Sequence, residues 1–171
     1  MEHAIGIREL FSCGLHTSAI CLARTQFETQ VRAMWVLYAA SDSDIGKLAA
    51  NLSIETESQA SHSPSLSEMI LRLENTAPVN AYELAIGYKN TSWKALNSYV
   101  HGGIHPLSRF ESGYPEQLIE QIQRNVNGVS TMAAMMLAVL TGSQDLAKDI
   151  SKIQHEFADC LPELVHVAHN H

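Results

Sequence analysis

The stretch SWKALNSYVHGGIHPLSRFESGY (Ser92–Tyr114) interrupts an otherwise helical pattern. Apolar residues recur every three or four positions as far as His101, and the two glycines that follow loosen or stop the helix. Pro106 disfavours a helical conformation for the residue before it, so we expect His105 to lie outside a regular helix. The break also carries Arg109, and we expect polar chemistry where two imidazoles and a guanidinium lie together.

Outward from this break, apolar residues at three- and four-residue spacing predict helices on both sides. With no strand pattern and no internal repeat, the sequence predicts an all-α fold, an antiparallel helical bundle. We expect one domain over residues 1–171, with a polar loop at 55–64 and a flexible tail at 162–171. The predicted helices cover residues 4–12, 15–40, 43–53, 65–74, 80–87, 92–101, 115–141 and 143–160.

Residues that favour helix ends mark several of these boundaries. Ser41 with Asp42, and Ser65, are good N-caps for the helices that follow them. Gly87 is expected to separate two short helices in the middle of the chain. Gly142 is expected to end the long late helix.

Length, composition and charge exclude several classes of protein. The chain has 171 residues, 46% of them apolar, which suits one domain with a full hydrophobic core. Its net charge of -7 excludes a broad non-specific nucleic-acid surface but leaves a small local basic site open. We expect no signal peptide, and no apolar run reaches the ~18 residues of a membrane span. Three cysteines without a CxxC motif favour reduced thiols in a cytoplasmic protein.

Charged residues follow one edge of the apolar face of the second predicted helix. Arg24, Glu28 and Arg32 stand at four-residue spacing. At 100° per residue, Arg24 falls within roughly 60° of the centre of the apolar face. We therefore expect Arg24 to be half-buried and paired with Glu28. The alternative is a plain ladder of charges on the helix surface.

His101 and His105 have the four-residue spacing of two metal ligands on one helical face. The glycines between them and Pro106 argue against a regular helix, and no HExxH motif supplies a further ligand. A polar site without metal is therefore favoured, no cofactor is expected, and a bundle metalloprotein is a third alternative. Motifs of nucleotide-binding loops and serine hydrolases are absent from the sequence. The three cysteines are expected on apolar helix faces or at helix ends, where buried thiols are usually inert.

The second half of the long late helix, STMAAMMLAVL (130–140), is apolar all round. Such a segment lies either in the centre of a bundle or at a subunit contact. Its methionines fit a packed core or a soft partner-binding surface. We expect a homodimer that forms through these apolar late helices.

Two segments resemble a set of uncharacterised bacterial all-helical proteins. They are RTQFETQVRAMWVLYAASDSD (Arg24–Asp44) and LNSYVHGGIH (Leu96–His105). That set is similar in turn to the HEPN domains (higher eukaryote and prokaryote nucleotide-binding). The resemblance implies a helical bundle that dimerises, and many HEPN proteins are metal-independent ribonucleases of toxin–antitoxin and phage-defence systems. Their motif is an arginine, a polar residue, three further residues and a histidine, on a late helix at the dimer cleft.

The segment Asn97–His101 matches this motif from its polar residue to its histidine, while Leu96 stands at the arginine position. The resemblance implies His101 as the acid or base and another arginine, Arg109 or Arg24, for the phosphate charge. Neighbouring polar groups complete the candidate site, which comprises His101, Arg109, Arg24, Asn97, Glu28 and His105.

Two functions of different classes follow from these observations. The first is a HEPN-like component of a bacterial toxin or phage-defence system, a metal-independent ribonuclease with a degenerate motif. The second is a non-enzymatic helical interaction module that binds a protein partner or a small ligand. Leu96 at the arginine position and the acidic net charge favour the second function.

Overall fold

A computed structural model describes residues 2–51, 53–54, 58 and 63–163 of the chain. Over these residues it has eight α-helices and no strand, so the predicted all-α class is confirmed. Most of the expected loop at 55–64, and the expected tail beyond residue 163, lie outside the described residues. The helices are α1 (Glu2–Ser12), α2 (His16–Tyr38), α3 (Asp42–Ala49), α4 (Leu66–Leu73), α5 (Val79–Val100), α6 (Ile104–Ser112), α7 (Glu116–Thr141) and α8 (Gln144–Glu156). A 3-10 turn, Ala158–Cys160, follows α8.

Helix α2 is the central element of the bundle. It contacts α1, α4, α5 and α7, and its inner face is fully buried. Phe27 and Trp35 are the largest side chains of that face, and the Phe27 ring stacks on Tyr88 of α5 with the ring centroids 4.2 Å apart. Truncating such an aromatic side chain in a core typically costs about 3–5 kcal/mol. The helix that carries Arg24 and Glu28 is therefore held in place along most of its length.

The predicted helix boundaries at Ser41, Ser65 and Gly142 are confirmed. Each serine side chain accepts a hydrogen bond from the third backbone N–H of its helix. The carboxylate at that third position, Asp44 or Glu68, accepts hydrogen bonds from the backbone N–H and the hydroxyl of the serine. These hydrogen bonds from serine lower the pKa of both carboxyl groups. Gly142 ends α7 in the left-handed conformation, with φ 67°.

The prediction of two helices around Gly87 is wrong, because α5 runs without a break from Val79 to Val100. A glycine inside a helix costs only about 1 kcal/mol relative to alanine. Buried side chains on both sides of it, including Tyr82 and Leu96, hold α5 on the core. Tertiary packing of the whole face therefore outweighs one unfavourable position.

The prediction that His105 lies outside a helix is also wrong. His105 and Pro106 stand in the first turn of α6, where backbone N–H groups have no partner within the helix. A proline there removes no helical hydrogen bond. The N–H of His105 instead donates to Ser98 Oγ at 3.1 Å, which ties the start of α6 to the end of α5. Gly102, with φ 64°, makes the turn between the two helices.

The apolar segment at 130–140 is not buried all round. Met132 and Ala138 are buried, whereas Leu137, Val139 and Leu140 are exposed. Only one side of the segment therefore lies in the bundle core, which was one of the two expected locations. Subunit contact through the other side stays a prediction.

The cysteines lie at helix ends or on an apolar helix face, as predicted, but their burial differs from that expected. Cys13 and Cys160 are exposed, and only Cys21 is partly buried. Burial raises the pKa of the Cys21 thiol, although the charge of Arg24 opposes the shift. All three thiols are free, as predicted. None of the described helices is both long enough and apolar enough to cross a lipid bilayer.

Candidate functional site at the junction of α5 and α6

The side chain of Arg24, on α2, reaches α5 and joins two other candidate residues, Asn97 and Glu28. Its Nε donates to Asn97 Oδ1 at 2.8 Å, and its Nη2 donates to Glu28 Oε1 at 2.9 Å. The guanidinium also lies over the Trp93 ring, 4.9 Å from the centroid. Only 18% of the Arg24 side chain is exposed. The predicted half-buried pair of Arg24 and Glu28 is therefore confirmed, and the plain surface ladder is wrong.

This cluster has a structural role that limits its chemistry. The Glu28 carboxylate offsets the positive charge of Arg24, and the Trp93 ring covers one face of the guanidinium. The guanidinium has five N–H donors, so hydrogen bonds to Asn97 and Glu28 leave some of them available. A phosphate that approached Arg24 would compete with the Glu28 carboxylate.

Leu96, at the position where the resembling motif has arginine, points into the core. It is 3% exposed and belongs to the cluster of buried apolar residues. An arginine at this position would place an unpaired charge in that core, which is strongly unfavourable. The arginine that contacts the motif comes instead from another helix, through the bond from Arg24 to Asn97.

His101 caps the C-terminus of α5, and its backbone N–H donates to Asn97 O at 3.0 Å. Its side chain is exposed. Four residues separate it from Asn97, so it lies near the same side of the helix axis, about 6 Å further along. The imidazole is therefore open to solvent at the edge of the Arg24 cluster.

His105 and Arg109 belong to a different cluster, built around Tyr99 and Tyr114. The Tyr99 ring centroid is 6.0 Å from that of His105 and 6.4 Å from that of Tyr114. His16 of α2 continues the series, with its ring centroid 5.0 Å from that of Tyr114. Since Asn97 and Tyr99 are about 200° apart around the helix, the two clusters lie on different sides of α5. The predicted site is thus divided in two.

The cluster around Tyr99 contains polar atoms without partners. The Tyr99 hydroxyl and the Nδ1 atoms of His16 and His105 are buried and have no hydrogen bond of standard geometry. Burial raises the pKa of Tyr99, as does neighbouring Tyr114, while a looser hydrogen-bonding contact with Arg109 and the charge of that residue oppose the shift. Tyr114 is better satisfied, because its hydroxyl and Thr17 Oγ1 are 2.6 Å apart.

Sequence reasoning did not identify His16, Tyr99 and Tyr114. His16 lies on α2, Tyr99 on α5 and Tyr114 in the loop between α6 and α7, and only tertiary packing brings them together. The one local signal is the polar His16 near the start of a long apolar helix face. In the part of the chain that the structure describes, no group of three or more His, Cys, Asp or Glu side chains is arranged to hold a metal ion.

Residues 1–163 match a family of unknown function, DUF6988. The chain belongs to the DUF6988 family. Comparisons with curated proteins and with solved structures found no match. The likeness of this DUF6988 chain to HEPN domains is therefore a resemblance of short segments, while its membership of the family rests on almost its whole length.

The DUF6988 chain also has a cleft between α5 and α7 that sequence reasoning missed. Its volume is about 480 Å³. Asn125 of α7 bridges it, donating from Nδ2 to Ser92 Oγ at 3.2 Å and accepting from Gln121 Nε2 at 3.3 Å. Tyr99 lines one end, so the cleft adjoins the cluster around Tyr99 and Tyr114. Its polar residues stand at ordinary helical spacing, which is why no sequence pattern singled them out.

Proposed function

We propose that this chain is a non-enzymatic helical interaction module that binds a second copy of itself through one face of α6. Three large apolar side chains form this α6 face: Ile104 is 72% exposed, Leu107 65% and Phe110 95%. This exposure is the observation that carries the proposal. Burying one such side chain contributes roughly 1.5–3 kcal/mol, so a surface that covered all three would gain substantial binding free energy.

The arrangement of the α6 face suits a copy of the same face. The three residues follow each other at three-residue spacing, with the large Phe110 at one end and the smaller Ile104 at the other. In an antiparallel pair of α6 helices centred on Leu107, each Phe110 lies opposite the partner's Ile104. Such isologous contacts are the commonest way in which soluble proteins dimerise.

Charge also favours a second copy. The whole chain carries a net charge of -7, so two copies repel each other at most surfaces. Helix α6 carries one arginine, Arg109, and one glutamate, Glu111, and is therefore close to neutral. Two α6 faces can meet without placing many like charges opposite one another.

The oligomeric state tests this proposal directly. We expect the wild type to sediment as a dimer and Leu107→Glu to sediment as a monomer, because a carboxylate in the centre of the contact would be desolvated. Leu71→Glu is the matched control, since Leu71 is a leucine of similar exposure, 67%, on α4. A wild-type monomer at all concentrations, or a dimer that persists in Leu107→Glu, would refute the proposal.

A further variant separates the α6 face from the late helices, where the sequence places the dimer contact. Leu140 lies at the exposed end of α7. If α6 forms the interface, Leu140→Glu leaves the dimer intact. A monomeric Leu140→Glu together with a dimeric Leu107→Glu would move the contact to α7 and overturn the proposal for α6.

A second function, metal-independent RNA cleavage in a cytoplasmic toxin or phage-defence system, is favoured by one specific contact. Arg24 donates to Asn97, so an arginine does stand beside the motif, and His101 is exposed nearby. In this function His101 acts as acid or base and Arg24 stabilises charge on the phosphate. The buried Leu96 and the neutralising Glu28 count against it.

Cleavage of labelled RNA in EDTA tests the second function. We would compare the wild type with His101→Ala, and use His155→Ala, which removes an exposed histidine of α8, as the control. Cleavage that disappears only in His101→Ala would establish the ribonuclease. Equal absence of cleavage in all three folded proteins would exclude it and leave the interaction module.

A further inference from the structure

We propose that the cleft between α5 and α7 binds an amphipathic organic anion, an aromatic carboxylate whose charged group pairs with Arg124. The proposal is independent of self-association through α6. It rests on the size of the cleft, the state of Arg124 and the polar groups beside it.

The cleft has room for a small molecule with an apolar body. Its volume of about 480 Å³ lies within the range of roughly 300–1,000 Å³ that is common for ligand pockets. Leu84, Tyr88 and Ile122 contribute to its walls. A Cβ atom built on Gly87, another wall residue, would meet nothing within 4 Å. The space beside Gly87 is therefore open, and an aromatic ring can lie against the apolar wall.

Arg124 is a cation without an ion-pair partner among the described residues, since exposed Glu163, which also lines the cleft, forms no ion pair with it. It is half-buried and lines the cleft, and it makes no hydrogen bond or ion pair within the described part of the chain. Partial burial of an unpaired charge is unfavourable, and a ligand carboxylate would remove that penalty. The guanidinium fork matches a carboxylate with two parallel hydrogen bonds, which gives direction as well as affinity.

Polar groups next to Arg124 can orient such a ligand. Asn125 follows Arg124 on α7 and is bonded to both Ser92 and Gln121, so its amide is held in one orientation. Asn125 is 6% exposed and keeps one N–H donor beyond the bond to Ser92. A carboxylate on Arg124 therefore has a fixed donor beside it.

The acidic residue buried in the cleft lies far from Arg124. Glu83 lines the cleft and stands nine residues before Ser92 on the continuous helix α5. Nine residues correspond to about 13 Å along a helix axis. Since Asn125 bonds to Ser92, Arg124 is near the Ser92 level, towards the middle of the cleft, and Glu83 is near one end. The cleft thus accepts one anionic group at the level of Arg124, away from the Glu83 carboxyl group.

Three probes of the same shape test the charge that the cleft prefers. We would titrate the protein with 2-naphthoate, 2-naphthamide and naphthalene-2-carboxamidine and measure Kd by calorimetry. A hydrogen bond to a charged group is stronger than one between neutral groups, so naphthoate should bind at least about tenfold more tightly than the amide. The amidine should bind more weakly still. Binding of naphthoate no tighter than that of the amide would overturn the proposal.

Four variants locate the binding site. Arg124→Gln should weaken naphthoate binding about tenfold, to the level of the amide, whereas Arg32→Gln on the exposed side of α2 should have no effect. Gly87→Leu should abolish binding of all three probes by filling the cleft. Gly46→Leu is its matched control, because Gly46 is an exposed helical glycine with equally open surroundings. Naphthoate binding that survives Gly87→Leu, or is unchanged in Arg124→Gln, would exclude this cleft, as would the absence of any binding.

Discussion

Arg24 and Tyr99 show, at the scale of single residues, how differently the two clusters are satisfied. Arg24 has a hydrogen-bonded carboxylate, a hydrogen-bonded amide and an aromatic ring as partners. The Tyr99 hydroxyl is buried and has no bond of standard geometry. Buried polar groups are usually bonded, so an unpaired one carries a desolvation cost without a compensating interaction. Stability measurements at the two tyrosines of the second cluster can test this difference.

We predict that Tyr99→Phe leaves the free energy of unfolding within about 0.5 kcal/mol of the wild type or raises it, because the lost hydroxyl makes no hydrogen bond of standard geometry. Tyr114→Phe should lower it by about 1 kcal/mol, because it removes the 2.6 Å hydrogen bond with Thr17. Urea unfolding of the two variants measures both values. A larger loss in Tyr99→Phe than in Tyr114→Phe would show that the Tyr99 hydroxyl is hydrogen-bonded in solution.

At the scale of elements, helix ends follow local chemistry, whereas helix continuity follows packing. The serine caps of α3 and α4 involve residues three positions apart, and the sequence alone is enough to find them. The continuity of α5 across Gly87 depends on contacts with other helices, which no local pattern contains. One substitution at Gly87 and one at Ser65 can test helix continuity and helix capping separately.

Gly87→Ala should raise the free energy of unfolding by about 1 kcal/mol. The substitution removes the conformational freedom of a glycine in a helix interior, and the new methyl group meets nothing within 4 Å. The shift of the urea midpoint, measured at unchanged slope, gives the value. A decrease would mean that α5 needs flexibility at this position and that the cleft wall changes shape.

Ser65→Ala should lower the free energy of unfolding by about 1 kcal/mol at pH 7, the usual effect of losing an N-cap. The Ser65 hydroxyl lowers the pKa of Glu68 in the folded state. The stabilisation linked to this carboxylate is therefore present above its unfolded pKa of about 4.3 and is lost as the pH falls through the lower, folded value. Unfolding curves at pH 7 and below pH 4 should show the difference between the two proteins shrinking with acidity. A difference that grows with acidity would contradict the assignment.

At the scale of the whole molecule, the chain after α8 returns to α7 and closes one end of the cleft. Asn127 Nδ2 donates to Cys160 O at 3.0 Å, and Pro162 packs against Gly128. A Cβ on Gly128 would lie 2.8 Å from the Cδ and Cγ atoms of Pro162, which is too close for van der Waals contact. The absence of a side chain at Gly128 is what allows this return.

We predict that Gly128→Ala, unlike Gly87→Ala, does not stabilise the protein. The gain of about 1 kcal/mol from helix propensity is offset by overpacking against Pro162, which typically costs about 1–3 kcal/mol. The segment after α8 should also detach, so limited proteolysis beyond residue 157 should be faster than in the wild type. Equal gains in the two glycine variants would show that Pro162 does not pack closely on α7 in solution.

The amino-acid sequence is enough to predict the all-α class, the capped helix starts at Ser41 and Ser65, and the pairing of Arg24 with Glu28. These features depend on residues three or four positions apart on one helix, and their geometry follows from helical periodicity.

Which residues share a site depends on how the helices pack, and no local sequence pattern contains that information. The bond from Arg24 to Asn97 joins residues 73 positions apart, and the contact between Thr17 and Tyr114 joins residues 97 positions apart. Which side of α5 faces which neighbour depends on the packing of several helices at once. For that reason the sequence could select Asn97, His101 and Arg109 as polar candidates, but only the fold could place them on two sides of α5 and open a cleft beside Arg124.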